Sequence, residues 1–225
     1  MKVIKEKIGQ GINNIGWILL GGVLLLGGCS SQQASIKPVV KSKPGSAVSS
    51  KEALWKQRQQ RFSKMAAWTM DGKVAMRYKV DNWNFGVNWA QQGANDFVIN
   101  IKNPFTGATV ALITQNNNKV TLKSSDGKTY QDTNAERLLK RQANIELPLN
   151  GLVYWARGVT APHYPKGRVT LDAMGRPQKI IQANWVIKYR RYNDNSYNAL
   201  PTKIVLTRKQ DAVYVNMITK EWNIK

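Results

Sequence analysis

The feature that most constrains the fold is an alternation of apolar side chains with a period of two residues, which recurs over most of the chain. Val74, Met76 and Tyr78 begin the pattern, and similar alternation follows in short segments up to Met217. Such alternation predicts strands with one apolar face. The alternating segments are 74–80, 83–89, 97–101, 110–112, 120–122, 169–171, 185–189, 204–206 and 213–217. Asp126-Gly127 predicts a hairpin turn before Tyr130.

Three short helices are predicted beside these strands. Ser49 and Glu52 form a capping box ahead of an apolar stripe, so a first helix is expected to begin there. Thr133 and Glu136 form a second capping box, which predicts another helix. A third is expected from Pro148 to a stop at Gly158. The polar face of the first helix is expected to be solvated, and consists of Lys56, Arg58, Gln59 and Arg61.

These elements predict a mainly β fold with an α-helical lid. About 10–11 antiparallel strands would form a curved sheet or incomplete antiparallel β-barrel that encloses an apolar cavity. A sheet with one apolar face must cover that face, and the helices are the elements available to do so.

The amino-terminal segment is typical of a bacterial lipoprotein signal. Lys2, Lys5 and Lys7 precede an apolar run over 15–26, which is too short to span a bilayer. The run ends in Gly27-Gly28-Cys29, where small residues before a cysteine suit a lipoprotein signal peptidase. We therefore expect a signal peptide over 1–28, a lipid anchor on Cys29, a flexible tether over 29–50 and one folded domain over 51–225. The alternative is a buried free thiol in a cytosolic protein.

The net charge of the chain limits the classes of partner that it is expected to bind. The chain has 34 Lys and Arg against 13 Asp and Glu, a net charge of +21, of which the signal carries +2. Export argues against nucleic acid as the partner, although such charge is typical of nucleic-acid binding. Anionic lipid head groups or an acidic protein are the expected partners, and a basic surface kept for solubility is the alternative.

The residues that enzymes use are sparse. His163 is the only histidine and lies in a proline-flanked loop, and Cys29 is the only cysteine. No zinc site of the usual ligands can be built from these two residues, and no glycine-rich phosphate loop is present. We expect no enzymatic activity, no cofactor and no metal. Seven of the eight tryptophans follow the signal, and an apolar concavity lined by such side chains is what an acyl chain would enter.

The order and spacing of these motifs resemble the LolB family of outer-membrane lipoprotein receptors. The resemblance extends over nearly the whole chain. It is carried by the cysteine motif, Trp55-Lys-Gln-Arg-Gln-Gln, Trp68 with Gly72, Phe85 to Trp89, Asn103-Pro104-Phe105, Leu147-Pro148-Leu149, Leu152, Trp155 and Gly158, Trp185 to Tyr189, Leu200-Pro201 and Trp222. Ser30 after the cysteine favours the outer membrane by the sorting rule of enteric bacteria.

The resemblance implies a monomer that accepts acylated lipoproteins from the periplasmic carrier LolA and inserts them into the inner leaflet of the outer membrane. Membrane delivery is implied for a protruding loop made of Pro104, Phe105, Thr106 and Gly107. The family usually has leucine after Asn-Pro, and here Phe105 replaces it while Thr106 separates it from Gly107. The side chains expected to line the acyl-chain cavity are Trp68, Trp83, Phe85, Trp89, Trp155, Ile187 and Trp222.

Two interpretations from other classes remain open at this stage. A β-rich envelope scaffold lipoprotein would have a solid interior packed by the tryptophans, and a lipid-anchored hydrolase would need a polar cluster that the sequence does not reveal. A soluble LolA-type carrier is a third, against which Gly27-Gly28-Cys29 argues directly. A basic rim that docks an acidic carrier mouth is a further hypothesis, drawn from the net charge alone.

Overall fold

A computed structural model of the chain describes residues 45–144, 146–210 and 212–224. The signal peptide, Cys29 and the tether up to residue 44 lie outside the described residues. The helices are α1 Gly45–Ser63, α2 Ala135–Ala143 and α3 Leu149–Trp155. The strands are β1 Trp68–Tyr78, β2 Asp81–Gln91, β3 Phe97–Lys102, β4 Thr109–Asn116, β5 Lys119–Ser124, β6 Thr129–Asp132, β7 Arg168–Leu171, β8 Pro177–Gln182, β9 Trp185–Tyr192, β10 Pro201–Arg208 and β11 Val213–Ile224.

The strands form one antiparallel sheet in the order β6-β5-β4-β3-β2-β1-β11-β10-β9-β8-β7. Strands β1 and β11 pair at the centre, so the sheet consists of two meanders joined by the first and last strands of the domain. The edge strands β6 and β7 do not pair with each other, which leaves the sheet open. The predicted mainly β fold with about 10–11 antiparallel strands in an incomplete barrel is confirmed.

Register places the predicted apolar positions on one face. Val74 of β1 pairs with Phe85 of β2 on one side and with Met217 of β11 on the other. The alternation continues outward, for example from Trp89 to Ile99. Leu138 and Leu139 of α2 and the apolar side of α3 belong to the same core as this face. The helices therefore bury the apolar face of the sheet, as the period-two pattern requires.

A local irregularity at the centre of the sheet explains one glycine. The pairing of β1 with β11 shifts between Asp71 and Gly72, so β11 has an extra residue opposite this point. A Cβ atom at Gly72 would collide with the carbonyl oxygen of Ile218. A side chain is therefore excluded where the two strands bulge against each other.

Two predicted helix starts are wrong. Helix α1 begins at Gly45, so Ser49 lies within the helix and not at its cap, and residues 45–50 of the predicted tether are helical. At α2 the cap is Asn134, whose Oδ1 accepts a hydrogen bond from the backbone nitrogen of Arg137 at 2.8 Å. Glu136 is not part of a capping box, because its Oε1 accepts from the backbone nitrogen of Asn150 at 3.0 Å.

The third helix begins and ends close to the predicted positions. Pro148 is its cap, and Gly158 follows its last turn with φ +73°. The backbone nitrogen of Gly158 donates to the carbonyl of Trp155 at 3.0 Å. Glycine adopts this left-handed conformation without the steric cost that a Cβ would add.

The prediction that Arg58 is solvated is wrong, since its side chain is fully buried. The guanidinium donates to the carbonyl oxygens of Gly158 (3.0 Å), Tyr197 (2.9 Å), Ala199 (2.9 Å) and Arg157 (2.8 Å). Burial lowers the pKa of Arg58 below its ordinary value. Arg58 thus fastens α1 to the end of α3 and to the segment that leads into β10.

Arg157 forms a second buried clamp of the same type. Its guanidinium donates to the carbonyl oxygens of Val153 (3.0 Å), Met65 (2.8 Å) and Phe62. Burial lowers its pKa to about 10. Because both arginines bind backbone carbonyls over about 100 residues of separation, they fix α1 and α3 firmly to the domain.

Candidate functional site: an apolar cavity and its mouth

A cavity of about 380 Å³ lies between the inward face of the sheet and helices α2 and α3. Strand side chains such as Val87 and Ile99 form its floor, and Leu139 and Leu152 cover it from α2 and α3. Its volume is within the range of roughly 300–1,000 Å³ that small-molecule sites occupy. The fold therefore contains a hollow that its tryptophans leave unfilled.

The lining is apolar except at one end. Asn84, Lys102 and Asn103 are the polar residues among the described residues that line it. All three lie close to the point where β3 ends on β2, because Lys102 pairs with Gly86. An apolar interior with a polar entrance suits a ligand that has a hydrocarbon body and a polar head.

The cavity reaches the surface at that same end. Floor residues such as Ile113 are buried, whereas Trp83 and Phe85 are half-buried and Val110 is 44% exposed. We call this opening the cavity mouth; it is formed by Trp83, Phe85, Asn103, Pro104 and Val110.

Three of the seven side chains predicted for the cavity line it, namely Trp83, Phe85 and Trp89. The other four, Trp68, Trp155, Ile187 and Trp222, do not. Trp68 packs between Trp89 and Trp222, with ring centroids 5.3 and 5.4 Å apart. It therefore fills the end of the core opposite the mouth, where β1 begins and β11 ends.

Trp155 and Ile187 are fully buried on the β8–β9 side of the core. The indole nitrogen of Trp155 donates to Oε1 of Gln182 at 2.9 Å, and its ring lies 6.3 Å from that of Trp185. These contacts hold Trp155, the last residue of α3, as a structural side chain. The aromatic residues thus form two groups, one packed in the core and one lining the cavity. The alternation in the sequence does not distinguish these groups.

Sequence reasoning missed the lining residues that come from the helices and the C-terminal strands. Leu139 and Ala143 of α2 line the cavity, as do Leu147 and Pro148 before α3 and Met217 of β11. The apolar stripe of α2 and the inward alternation of β11 carry the signal for these residues. An emphasis on aromatic side chains left them out.

The 103–108 loop next to the mouth is ordered by its own hydrogen bonds. Oδ1 of Asn103 accepts from the backbone nitrogens of Phe105 (2.9 Å) and Thr106 (3.1 Å). The Asn103 nitrogen donates to the carbonyl of Ala108 at 2.8 Å, and Gly107 adopts φ +73°. The turn therefore closes on itself and holds Phe105 outward, with its side chain 94% exposed.

Ion pairs on the surface hold α2 over the cavity. Asp132 at the end of β6 pairs with Arg137 and with Arg141 (3.0 Å) on α2. The hydrogen bond from Arg137 lowers the pKa of Asp132 to about 2. Asp132 thus ties both turns of this short helix to the edge strand.

A second group of charges holds the segment between α2 and α3. Glu146 pairs with Lys140 of α2 at 2.6 Å and with Arg208 at the end of β10 at 2.9 Å. The hydrogen bond from Lys140 lowers the pKa of Glu146. This segment includes Leu147 and Pro148 of the cavity lining, so the ion pairs of Glu146 hold part of the cavity wall in place.

The sole histidine lies away from these features. His163 is exposed in the loop after α3, with its ring 6.4 Å from that of Tyr154. Within the described residues, no group of three His, Cys, Asp or Glu side chains is placed to hold a metal ion. In the same residues, no helix is long and apolar enough to cross a membrane.

Comparison with known proteins identifies the family to which this chain is similar. The profile of the family described as outer membrane lipoprotein LolB matches residues 66–222. The outer-membrane lipoprotein LolB of Chromohalobacter salexigens is 29% identical over 208 residues, covering 92% of this chain and 90% of the relative. That of Pseudomonas aeruginosa strain PAO1 is 35% identical over 169 residues, covering 75% and 80%.

A crystal structure of a DUF1329 family protein from Desulfovibrio piger aligns with a TM-score of 0.50 and 6% identity, covering 78% of this chain and 93% of that protein. At that identity the likeness concerns the fold alone. The family profile extends over well more than half of the chain, and the predicted resemblance is confirmed. The chain therefore belongs to the LolB family, as a non-catalytic outer-membrane lipoprotein of the lipoprotein-localisation system.

Proposed function

We propose that this chain accepts acylated lipoproteins from the periplasmic carrier LolA and releases them into the inner leaflet of the outer membrane. The observation that carries the proposal is the apolar cavity of about 380 Å³ with its mouth beside the 103–108 loop. A packed scaffold would have no such hollow. The protein acts as a monomer in this scheme, since cavity, mouth and loop all belong to one chain.

The cavity is the site that holds acyl chains. Each methylene buried in an apolar site is worth about 0.8 kcal/mol relative to water, so a cavity that buries more of the acyl chain than the carrier does can extract it without any chemical step. Trp83 and Phe85 contact the acyl chains nearest the mouth, and Trp89 contacts them deeper in the cavity. Asn84, Lys102 and Asn103 remain by the polar end of the cargo, where its glycerol and peptide parts leave the cavity.

Delivery of the lipoprotein to the membrane depends on the 103–108 loop and on the lipid anchor. Cys29, acylated after removal of residues 1–28, keeps the domain at the bilayer through the tether. Phe105 enters the lipid interface, because its ring is exposed and the ordered turn around it cannot fold it back. Burying one phenylalanine gains about 1.5–3 kcal/mol, which favours docking and still permits release.

Transfer from the carrier is assisted by charge. The net charge is +21 for the whole chain and about +19 after removal of residues 1–28, and this positive charge would steer an acidic carrier toward the protein and raise the association rate. Carrier binding should then weaken as ionic strength increases from low to physiological values. A binding constant that does not change over this range would contradict the electrostatic part of the proposal and leave the cavity part intact.

The role of the cavity is tested by substitutions that fill it with a larger side chain. Ala111 lines the cavity and Leu112 points to the opposite face of the same strand, so Ala111→Trp and Leu112→Trp form a matched pair. Ala111→Trp should capture much less radiolabelled lipoprotein from the LolA carrier than the Leu112→Trp control. Ala143→Trp, on an exposed position of α2 that also lines the cavity, gives a second filling variant with little effect on the core.

Thermal unfolding of each variant separates blocked capture from misfolding. If both filling variants are folded and capture lipoprotein at the rate of the control, the acyl chains do not enter this cavity and the proposal fails.

A further inference from the structure

The turn between β1 and β2 presents a second exposed apolar side chain. Val80 is 88% exposed, close to the 94% of Phe105 and far above the other large hydrophobic side chains that are exposed in the described residues. Lys79 before it adopts φ 55°, so the chain reverses tightly at this point. Strand β2 then begins at Asp81, paired with Tyr78. Val80 therefore lies at the tip of a hairpin and cannot reach the core.

This tip projects from the end of the sheet that carries the cavity mouth. Strand β3 ends at Lys102, opposite Gly86, so residues 81–85 of β2 continue past it by roughly 16 Å at about 3.3 Å per residue. Trp83 and Phe85 in this extension line one side of the mouth, and Asn103 and Pro104 line the other. Val80 and Phe105 thus terminate the two structures that flank the mouth.

Two exposed lysines lie near the Val80 tip. Lys79 is exposed, and its Nζ lies 5.0 Å from the centroid of the Tyr78 ring. The β10–β11 turn, with exposed Lys209, is a neighbour, because β11 pairs with both β1 and β10 at this end. Asp81 is the exposed acidic side chain next to the tip. An apolar tip beside lysines fits the interface of a bilayer that contains anionic lipids.

From these observations we infer that Val80 is a second membrane contact, which together with Phe105 seats the cavity mouth on the bilayer surface. The inference rests on the proposed function and makes it more specific. A single inserted side chain leaves the domain free to rotate about that point. Two tips on opposite sides of the mouth fix the orientation, so that the mouth faces lipid when cargo leaves.

Site-specific labels test the contact in the lipidated chain. Because Cys29 is the only cysteine and is acylated, Val80→Cys, Phe105→Cys and Met174→Cys each supply one free thiol for an environment-sensitive fluorophore. Met174 is the matched control, since it is an exposed apolar residue in the β7–β8 turn at the opposite end of the sheet. The vesicles consist of phosphatidylethanolamine and phosphatidylglycerol, with a fraction of lipids that carry a quencher on the acyl chain.

The labels at 80 and 105 should be quenched, and the label at 174 should not. A label at 80 that stays in water while the label at 105 is quenched would overturn the inference. Quenching of all three labels alike would also overturn it, because it would show no preferred orientation.

A functional measurement gives a second criterion. Val80→Ser removes the two methyl groups from the tip, and delivery of radiolabelled lipoprotein to the same vesicles should fall about tenfold. Capture of lipoprotein from the carrier should not change, and Met174→Ser should behave as the wild type. Delivery by Val80→Ser at the wild-type rate refutes the membrane contact. Failure of the wild type to capture lipoprotein would instead refute the proposed function.

Discussion

Replacing Arg58 with methionine should destabilise the domain more than its place on a charged helix face suggests. Its four hydrogen bonds end on carbonyl oxygens of residues 157, 158, 197 and 199. Methionine keeps much of the volume and removes every donor. The carbonyls then remain in the interior with no replacement partner from the side chain.

The magnitude follows from the burial of those bonds. Three of the four hydrogen bonds are buried, and the bond to Tyr197 is partly buried. A buried acceptor that loses its partner costs about 1–3 kcal/mol. The variant regains the cost of dehydrating a guanidinium, so we take the lower limit for each of the three. The expected loss in the free energy of unfolding is about 3 kcal/mol, which corresponds to roughly 6–12 °C in Tm for a domain of this size.

Urea and thermal unfolding of the chain from Ser30 onward, without the lipid, would measure this loss. Arg61→Met is the matched control, because Arg61 is exposed on the same helix and should change stability by less than about 0.5 kcal/mol. A loss below about 1 kcal/mol for Arg58→Met would refute the argument that Arg58 fastens α1 to the domain.

Three further predictions concern the loop and the lid. Phe105→Ser should lower delivery of lipoprotein to vesicles by at least about tenfold, because the burial of Phe105 in lipid, worth about 1.5–3 kcal/mol, is lost. Thermal unfolding should not change. Delivery at the wild-type rate would contradict the role of the loop. Glu146→Gln breaks both ion pairs that hold the segment before α3, so an apolar fluorescent dye should enter the cavity faster than it does in Glu52→Gln, a control at an exposed position. Equal rates would contradict the role of Glu146 in holding this part of the cavity wall. The hydrogen bond from Arg137 lowers the pKa of Asp132 from 3.8 to about 2, so the stabilising effect of the ionised Asp132 is complete above about pH 4 and is lost as the pH falls through 2. Asp132→Asn should therefore lower Tm at pH 6 and not at pH 2. A difference in Tm that does not depend on pH would be inconsistent with this ion pair.

Period-two alternation was sufficient to predict the sheet, because a side-chain period of two identifies the inward face without knowledge of strand pairing. It was not sufficient to predict which inward side chains line the cavity. Trp68 and Trp83 both point inward, yet Trp68 lies at the packed end of β1 and Trp83 near the mouth on β2. Position along the strand depends on register and on what the helices cover, and neither is encoded in the local pattern.

The helix caps and Arg58 were missed for different reasons. Thr133 and Asn134 are adjacent residues that can both cap a helix, and the choice of Asn134 was not encoded in the spacing to Glu136. Arg58 lies among charged residues on α1, so its sequence neighbours indicate a solvated face. Its burial depends on carbonyls about 100 residues away, which the helical periodicity of α1 cannot report.

The interactions that hold α1 and α3 differ from those that hold α2, and this difference indicates which helix of the lid would move to open the cavity. Helices α1 and α3 are joined by buried guanidinium groups that bind backbone carbonyls, and breaking those bonds would leave several polar groups unsatisfied in the core. Helix α2 is held at its rim by ion pairs whose Arg and Lys side chains are more than half exposed, and water weakens such pairs. Outward movement of α2 would therefore leave fewer buried polar groups unsatisfied than movement of α1 or α3, although it would take Leu138 and Leu139 out of the core. Since Leu139 and Ala143 of α2 line the cavity, displacement of α2 alone would widen it, and under the proposed function the cargo would then leave without unfolding of the domain.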